Sequence, residues 1–168
     1  FTSRNVLIDV QGSSSQFYPR KNYDLKFKNG GFVNSTGQTS PKYQLRDDSI
    51  PVDRFVLKAD YASSEGANNV ELTRYYNDIC PVKTPAQLDN PLVRQGIDGF
   101  PIVVFQRNGN TLTFLGKYNF NNAKGNDEVY GFSGDDDQSI EMLNNTSNRV
   151  IFKNDDFSTD AWKNDFEF

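Results

Sequence analysis

Pro101-Ile102-Val103-Val104-Phe105, then Arg107-Asn108-Gly109-Asn110, then Thr111-Leu112-Thr113-Phe114-Leu115-Gly116-Lys117-Tyr118 reads as two strands folded back on a turn. The first run is dense in β-branched and aromatic residues, which suit a pleated surface. Asn108-Gly109 is a favoured hairpin dipeptide, because its residues tolerate the backbone a tight turn needs. A hairpin here makes the neighbouring sheet antiparallel, and the rest of the chain fits that reading.

Upstream, Tyr23-Asp24-Leu25-Lys26-Phe27-Lys28 alternates strictly, so Tyr23, Leu25 and Phe27 share one face of a strand. Residues 5–10 form another short apolar, β-branched run and a further strand. Residues 54–59 (Arg54 to Ala59) form another apolar run, centred on Phe55-Val56-Leu57, and fit either a buried strand or a short helix. Residues 11–16 and 29–39 are rich in Gly, Ser and Asn and read as loops. A helix is expected to start within residues 63–67, and Val70, Leu72, Tyr75, Tyr76 and Ile79 carry helical spacing up to Pro81. Leu88, Leu92 and Val93 suggest a second, shorter helical piece. Weaker strands are expected at 128–132, 140–143 and 149–152. The expected class is α+β, mainly antiparallel sheet with one principal helix.

The chain has 168 residues, of which 14 are Phe and 8 Tyr, so its core is expected to be built largely from rings. A net charge of −4 supplies no general attraction to nucleic acid or to an anionic membrane. No apolar run approaches the roughly 18 residues that a membrane-spanning helix needs. Cys80 is the only cysteine, so no intrachain disulfide can form. There is no histidine, which excludes histidine-based triads and most zinc sites. The chain begins at Phe1 and ends on Asp165-Phe166-Glu167-Phe168, both strand-like runs. Residues 1–168 are therefore expected to be one domain, or part of one, excerpted from a longer polypeptide.

Three segments, taken in order, resemble the CotH kinase family. The first is Val10-Gln11-Gly12-Ser13-Ser14-Ser15, followed by Phe17-Tyr18-Pro19-Arg20-Lys21-Asn22 and the strand to Phe27. The second is Phe55-Val56-Leu57-Lys58-Ala59-Asp60-Tyr61, followed by Glu71-Leu72-Thr73-Arg74-Tyr75. The third is Gly99-Phe100-Pro101-Ile102-Val103-Val104-Phe105, then Gly109, then Gly116-Lys117-Tyr118-Asn119-Phe120. The resemblance implies the amino-terminal lobe of an atypical protein-kinase-like fold. It also implies an extracellular surface or virion setting, since the family includes spore-coat and surface proteins and has relatives in phage structural proteins.

Kinase chemistry needs positioned cations for triphosphate and carboxylates for metal ions. The candidate nucleotide-binding residues are Gly12, Ser13 and Ser14, whose backbone N–H groups could face phosphate, with Lys21, Lys58, Glu71 and Arg74. The loop is no Walker A motif, and a plain strand connection explains it as well. Lys26 alternates with the apolar face of its strand and reads as a surface lysine. Lys58 follows an apolar run and would pair with Glu71 across strand and helix, as in an ordered kinase lobe. Alternatively, Glu71 and Arg74 form a surface pair three residues apart. Asp135-Asp136-Asp137 lacks the spacing of a calcium loop and reads as solvated. Asn34, Asn144 and Asn145 open glycosylation sequons that matter only in a eukaryotic secretory setting.

The family's catalytic carboxylates lie further along its chains. Asp155-Asp156-Phe157 and Asp160-Ala161-Trp162 imitate them without the surrounding pattern, so no catalytic or metal-binding residue is assigned. The expectation is a non-catalytic or incomplete CotH-like domain, a structural or adhesion component of a larger protein. Its partners would be other domains of the parent chain or neighbouring structural proteins. No cofactor is expected for the piece alone. An ATP-binding lobe using ATP and Mg²⁺, completed by a longer parent, is the enzymatic alternative. A carbohydrate-binding module, with exposed tyrosines or Trp162 stacking on a glycan, is the third.

Overall fold

The computed structural model describes residues 2–3, 5–12, 14–28, 31–62, 68–80, 82–132, 139–142 and 150–153. The elements run β1 (Val6–Gln11), β2 (Asn22–Phe27), β3 (Phe32–Val33), β4 (Thr39–Ser40), β5 (Arg54–Lys58), α1 (Asn68–Ile79), α2 (Pro85–Asp89), β6 (Gly99–Asn108), β7 (Thr111–Asn122), β8 (Ser139–Met142) and β9 (Val150–Lys153). Five strands form one antiparallel sheet in the order β1-β2-β5-β7-β6. Two small hairpins, β3-β4 and β8-β9, complete the strands. The chain is mixed α and β, mostly antiparallel, with one main helix. No described helix is long and apolar enough to cross a membrane.

The β6-β7 hairpin turns one residue later than the Asn-Gly reading places it. Asn108 pairs with Thr111, so Gly109 and Asn110 form the turn. Gly109 has φ 58° and Asn110 is not left-handed. That is the type II′ pattern, which asks for glycine at the first central position. Further along, Val104 pairs with Gly116 but Phe105 pairs with Phe114, so Leu115 bulges out of the ladder. Beyond the bulge, Phe105 and Phe114 form a cross-strand ring pair at 5.4 Å and stay exposed.

Register places Leu25 beside Phe55, Leu57 beside Phe120 and Phe120 beside Phe100. These residues share one face of the sheet, and the core sits on it. Phe55 is fully buried, stacked on Phe120 at 4.8 Å and set edge-on to Phe27 at 5.9 Å. Phe32 from β3 stacks on Phe27 at 4.2 Å and on Tyr43 at 5.2 Å, which closes that end of the core. Residues 54–59 thus resolve as a strand followed by a turn. Pairing on both edges, with β2 and β7, makes this run the middle of the sheet.

The opposite face is more polar. Arg54 grips both carboxylate oxygens of Asp24 across β2 and β5. Asp98, buried, accepts from Arg46 at 2.8 Å and from Arg94 at 3.4 Å, which ties the loop before β5 to the segment before β6. A buried carboxylate needs such partners to offset its desolvation.

α1 covers the helical spacing at 70–79, while its expected start within residues 63–67 lies outside the described residues; its apolar pattern splits. Val70 is fully buried, whereas Leu72, Tyr75, Tyr76 and Ile79 are 65%, 64%, 49% and 58% exposed. At roughly 100° per residue, those four form a stripe on the side of the helix away from Val70. The fold holds α1 by Val70 and by Thr73, whose methyl lies 2.6 Å from where a side chain on Gly96 would begin.

Two further expectations change. The second helix starts earlier, at Pro85, because Thr84 and Gln87 form a capping box: Thr84 Oγ1 accepts from the Gln87 N–H at 3.3 Å and Gln87 Oε1 from the Thr84 N–H at 3.1 Å. Leu92 and Val93 lie in the turn after it. Residues 128–132 are not a strand. A 3-10 turn over Asp127–Tyr130 ends at Gly131, whose φ of 79° breaks any extended run. The loop at 29–39 carries the β3-β4 hairpin, where Asn34 Oδ1 accepts from the N–H groups of Thr36 at 3.0 Å and Gln38 at 2.9 Å. The expected strands at 140–143 and 149–152 appear as β8 and β9.

Candidate functional site

The β1-β2 connection and the end of β5 meet at one end of the sheet, because Gln11 pairs with Asn22 and Tyr23 with Leu57. Asn22 joins the two: its Oδ1 accepts from the Ala59 N–H at 2.8 Å. Gly12 turns the chain with φ 108°, and a side chain there would begin 1.9 Å from Ser15 Oγ. Ser14–Phe17 then form a 3-10 turn.

Lys21 closes this turn. Its Nζ donates to the carbonyls of Gln16, at 2.5 Å, and Tyr18, at 2.7 Å. The Gln16 side chain reaches back to the Gly12 carbonyl. Two of the three ammonium donors of Lys21 are therefore spent on the loop itself, at the carbonyl end of a helical turn where a cation is favoured.

Lys58, the last residue of β5, is half-buried and makes no hydrogen bond or ion pair among the described residues. Desolvation pushes its pKa below the usual lysine value; the Asp60 and Asp24 carboxylates oppose this, and Lys124 adds to it. Glu71 pairs with Arg74 at 3.8 Å on the exposed surface of α1. The surface pair, rather than a Lys58–Glu71 bridge, is what forms. Gly12, Ser14, Lys21 and Lys58 thus gather at one end of the sheet, while Glu71 and Arg74 stand together on α1. Ser13, Asp135 to Asp137, Asp155, Asp156, Asp160, Trp162 and the sequons at Asn144 and Asn145 lie outside the described residues. Among the described residues no three His, Cys, Asp or Glu side chains gather to hold a metal.

The residues that dominate this end of the sheet lie in the three segments quoted above, but none of them is assigned a site role from the sequence. Arg20 lies over Gly116, where a side chain would begin 2.9 Å from its Nη1. Its guanidinium carbon sits 5.8 Å from the Tyr61 ring centre and 5.7 Å from that of Tyr118, and its Nη2 donates to the Ala59 carbonyl at 2.7 Å. Contacts of this kind contribute roughly 0.5–2 kcal/mol each. Tyr18 extends the column on one side, 5.5 Å from Tyr61, and Tyr23 on the other, 6.2 Å from Tyr118.

Asp60 is the one non-glycine residue with positive φ among the described residues, at 43°. Its Oδ2 accepts from Asn119 Nδ2 at 2.6 Å. Burial raises its pKa above the ordinary aspartate value, against the Asn119 hydrogen bond and the nearby Lys58, Lys117 and Arg20 charges. Asn22, Asp60, Tyr18, Tyr61, Arg20 and Asn68 line a cavity of about 350 Å³.

Comparison with known proteins adds no relative. The chain matches no family model, no curated protein and no solved structure.

Proposed function

We propose that the chain is a non-catalytic CotH-like domain that serves as a structural component of a larger surface or virion protein. The supporting observation is its uncovered apolar surface. Leu72, Tyr75, Tyr76 and Ile79 stripe the outward side of α1. On the sheet, a trough of about 460 Å³ opens between Leu25, Leu57, Ile102, Val104 and Phe105. Apolar surface of this kind suits contact with neighbouring domains or proteins.

The state of the candidate phosphate-binding groups favours the same reading. Lys21 holds its own loop, and Glu71 and Arg74 satisfy each other. Lys58 alone keeps an unspent ammonium, on the central strand, and it is the observation that favours the alternative of an ATP-binding lobe.

Calorimetric titration of ATP with Mg²⁺ tests both. The structural reading expects no binding by this chain or by a longer parent. Saturable binding that is lost in Lys58→Ala would replace it with the ATP-binding lobe, and binding retained in Lys58→Ala would remove Lys58 from that site.

A further inference from the structure

We propose that the cavity between the β1-β2 connection and the Asp60-Tyr61 turn is a binding site for a neutral saccharide. The inference stands apart from the structural role, since a scaffold domain and an enzyme lobe can each carry such a site. Four observations converge on it.

The first is shape. At about 350 Å³ the cavity lies at the small end of ligand pockets, which run roughly 300–1,000 Å³. The second is its aromatic rim. Tyr18 and Tyr61 are 39% and 49% exposed, with ring centres 5.5 Å apart. A sugar ring presents C–H groups on its faces and hydroxyls at its edge. Exposed tyrosines offer the matching combination of apolar ring and wet hydroxyl.

The third is Asp60. Asp60 adopts the left-handed backbone, which Asp and Asn enter more readily than other side chains through local hydrogen bonds. Here Asn119 holds Oδ2 from one side, and Asn22 fixes the preceding Ala59 N–H. Asp60 lines the cavity, and its Oδ1 makes no hydrogen bond among the described residues. A hydroxyl is the natural donor to it, and charge-assisted bonds of this type are strong. Asn22 Nδ2, whose bond to Ser15 Oγ is long at 3.4 Å, supplies a donor on the same wall. The pairing of acceptor and donor suits vicinal hydroxyls.

The fourth is charge. Among the described lining residues the charged ones are Arg20 and Asp60, which offset each other. Arg20 lies over the Tyr61 and Tyr118 rings and donates to the Ala59 carbonyl through Nη2, while its buried Nε has no hydrogen-bond partner among the described residues. A phosphate entering here would meet the Asp60 carboxylate, whereas a neutral polyol brings no like charge against it and can use both Asp60 and Asn22.

Ligand-observed saturation-transfer NMR on the whole chain tests the proposal. The probes are the methyl glycosides of glucose, galactose, mannose and N-acetylglucosamine, and their short oligomers. At least one should receive saturation. Its affinity should fall about tenfold or more in Tyr61→Ala, as for an aromatic anchor, and about tenfold in Asp60→Asn, as for a lost charge-assisted bond. Asparagine tolerates the left-handed backbone, so Asp60→Asn keeps the turn. If Tyr61→Ala does not fold, Tyr18→Ala takes its place, since Tyr18 borders the cavity from the loop side. Three results would overturn the proposal: no transfer to any saccharide, binding unchanged in both Asp60→Asn and the tyrosine variant, or displacement of the saccharide by ATP at stoichiometric occupancy.

Discussion

Phe55→Ala should remove about 4 kcal/mol of folding stability. The side chain is fully buried on the middle strand of the five-stranded sheet. Returning such a ring to water forfeits roughly 1.5–3 kcal/mol of transfer free energy. It also ends a stacked contact with Phe120 at 4.8 Å and edge contacts with Phe27, Phe32 and Tyr43 at 5.9, 6.3 and 6.3 Å. Ring pairs are worth about 0.5–1.5 kcal/mol each beyond area. They share one core, so their contributions do not simply add. A cavity bounded by four rings and a paired strand collapses poorly, which places the cost within the ~3–5 kcal/mol range for buried Phe→Ala. Equilibrium urea unfolding followed by far-ultraviolet circular dichroism reads this directly. Since domains of this kind hold only about 5–15 kcal/mol, Phe55→Leu is the companion variant that stays folded, with a loss nearer 1 kcal/mol. Phe17→Ala is the control: Phe17 is 89% exposed and should change stability by no more than about 0.5 kcal/mol. A loss below about 1.5 kcal/mol in Phe55→Ala, or an equal loss in Phe17→Ala, would show that the ring cluster is not the centre of the fold.

Burial pushes the Tyr130 hydroxyl up to about 12, helped by Asp127 and Asp98 and opposed by its hydrogen bond from Asn122. A folded-state value above the unfolded one makes its stabilising effect complete below pH about 10 and lost between about 10 and 12, some 2–3 kcal/mol in all; Tyr130→Phe should flatten that alkaline loss in urea titrations. Lys58 has the opposite sign: its depressed value means that the folded state pays for the ammonium at neutral pH, and the cost fades as pH rises from the folded value towards 10.5. Lys58→Met should therefore raise the urea midpoint at pH 7 by more than it does at pH 10.5, and an equal gain at both would refute the desolvation account. Thr84→Ala removes the acceptor of the α2 capping box and should cost about 0.5–2 kcal/mol, whereas Thr84→Ser should cost little in the same melts.

The strands were legible because their signals are local. Alternation at residues 23–28 places Tyr23, Leu25 and Phe27 on one face without knowledge of what they pack against, and the structure buries Phe27 there. The run at 54–59 could not be typed by periodicity, because a strand paired on both edges and covered on both faces loses its alternation; Phe55 and Val56 are both buried. Helical spacing at 70–79 marked α1 but not its orientation. A stripe of Leu72, Tyr75, Tyr76 and Ile79 states that one side of the helix is apolar, and it carries no information on which body covers that side. The short helix at Pro85 was readable from Thr84-Pro85-Ala86-Gln87, a cap signal that apolar counting alone passes over.

The site was less legible, for a reason that register makes plain. Lys21 attracts notice as a cation beside a glycine-serine loop. Whether its ammonium faces a ligand or its own carbonyls depends on a turn whose hydrogen bonds leave no periodic trace. Arg20, Asp60, Tyr61 and Asn119 are ordinary residues in separate stretches of sequence. They become neighbours only once Tyr23 pairs with Leu57 and Lys58 with Asn119. Pairing sets Ala59 under the Arg20 guanidinium and Asn119 beside Asp60. Gly116 adds the last condition, since its φ of 127° disfavours other residues and a side chain there would force Arg20 to shift. A charge-by-charge reading selects lysines and acids individually, whereas this cavity is assembled by strand register. The part its left-handed aspartate and paired tyrosines play is therefore found by following the sheet rather than by reading each quoted segment alone.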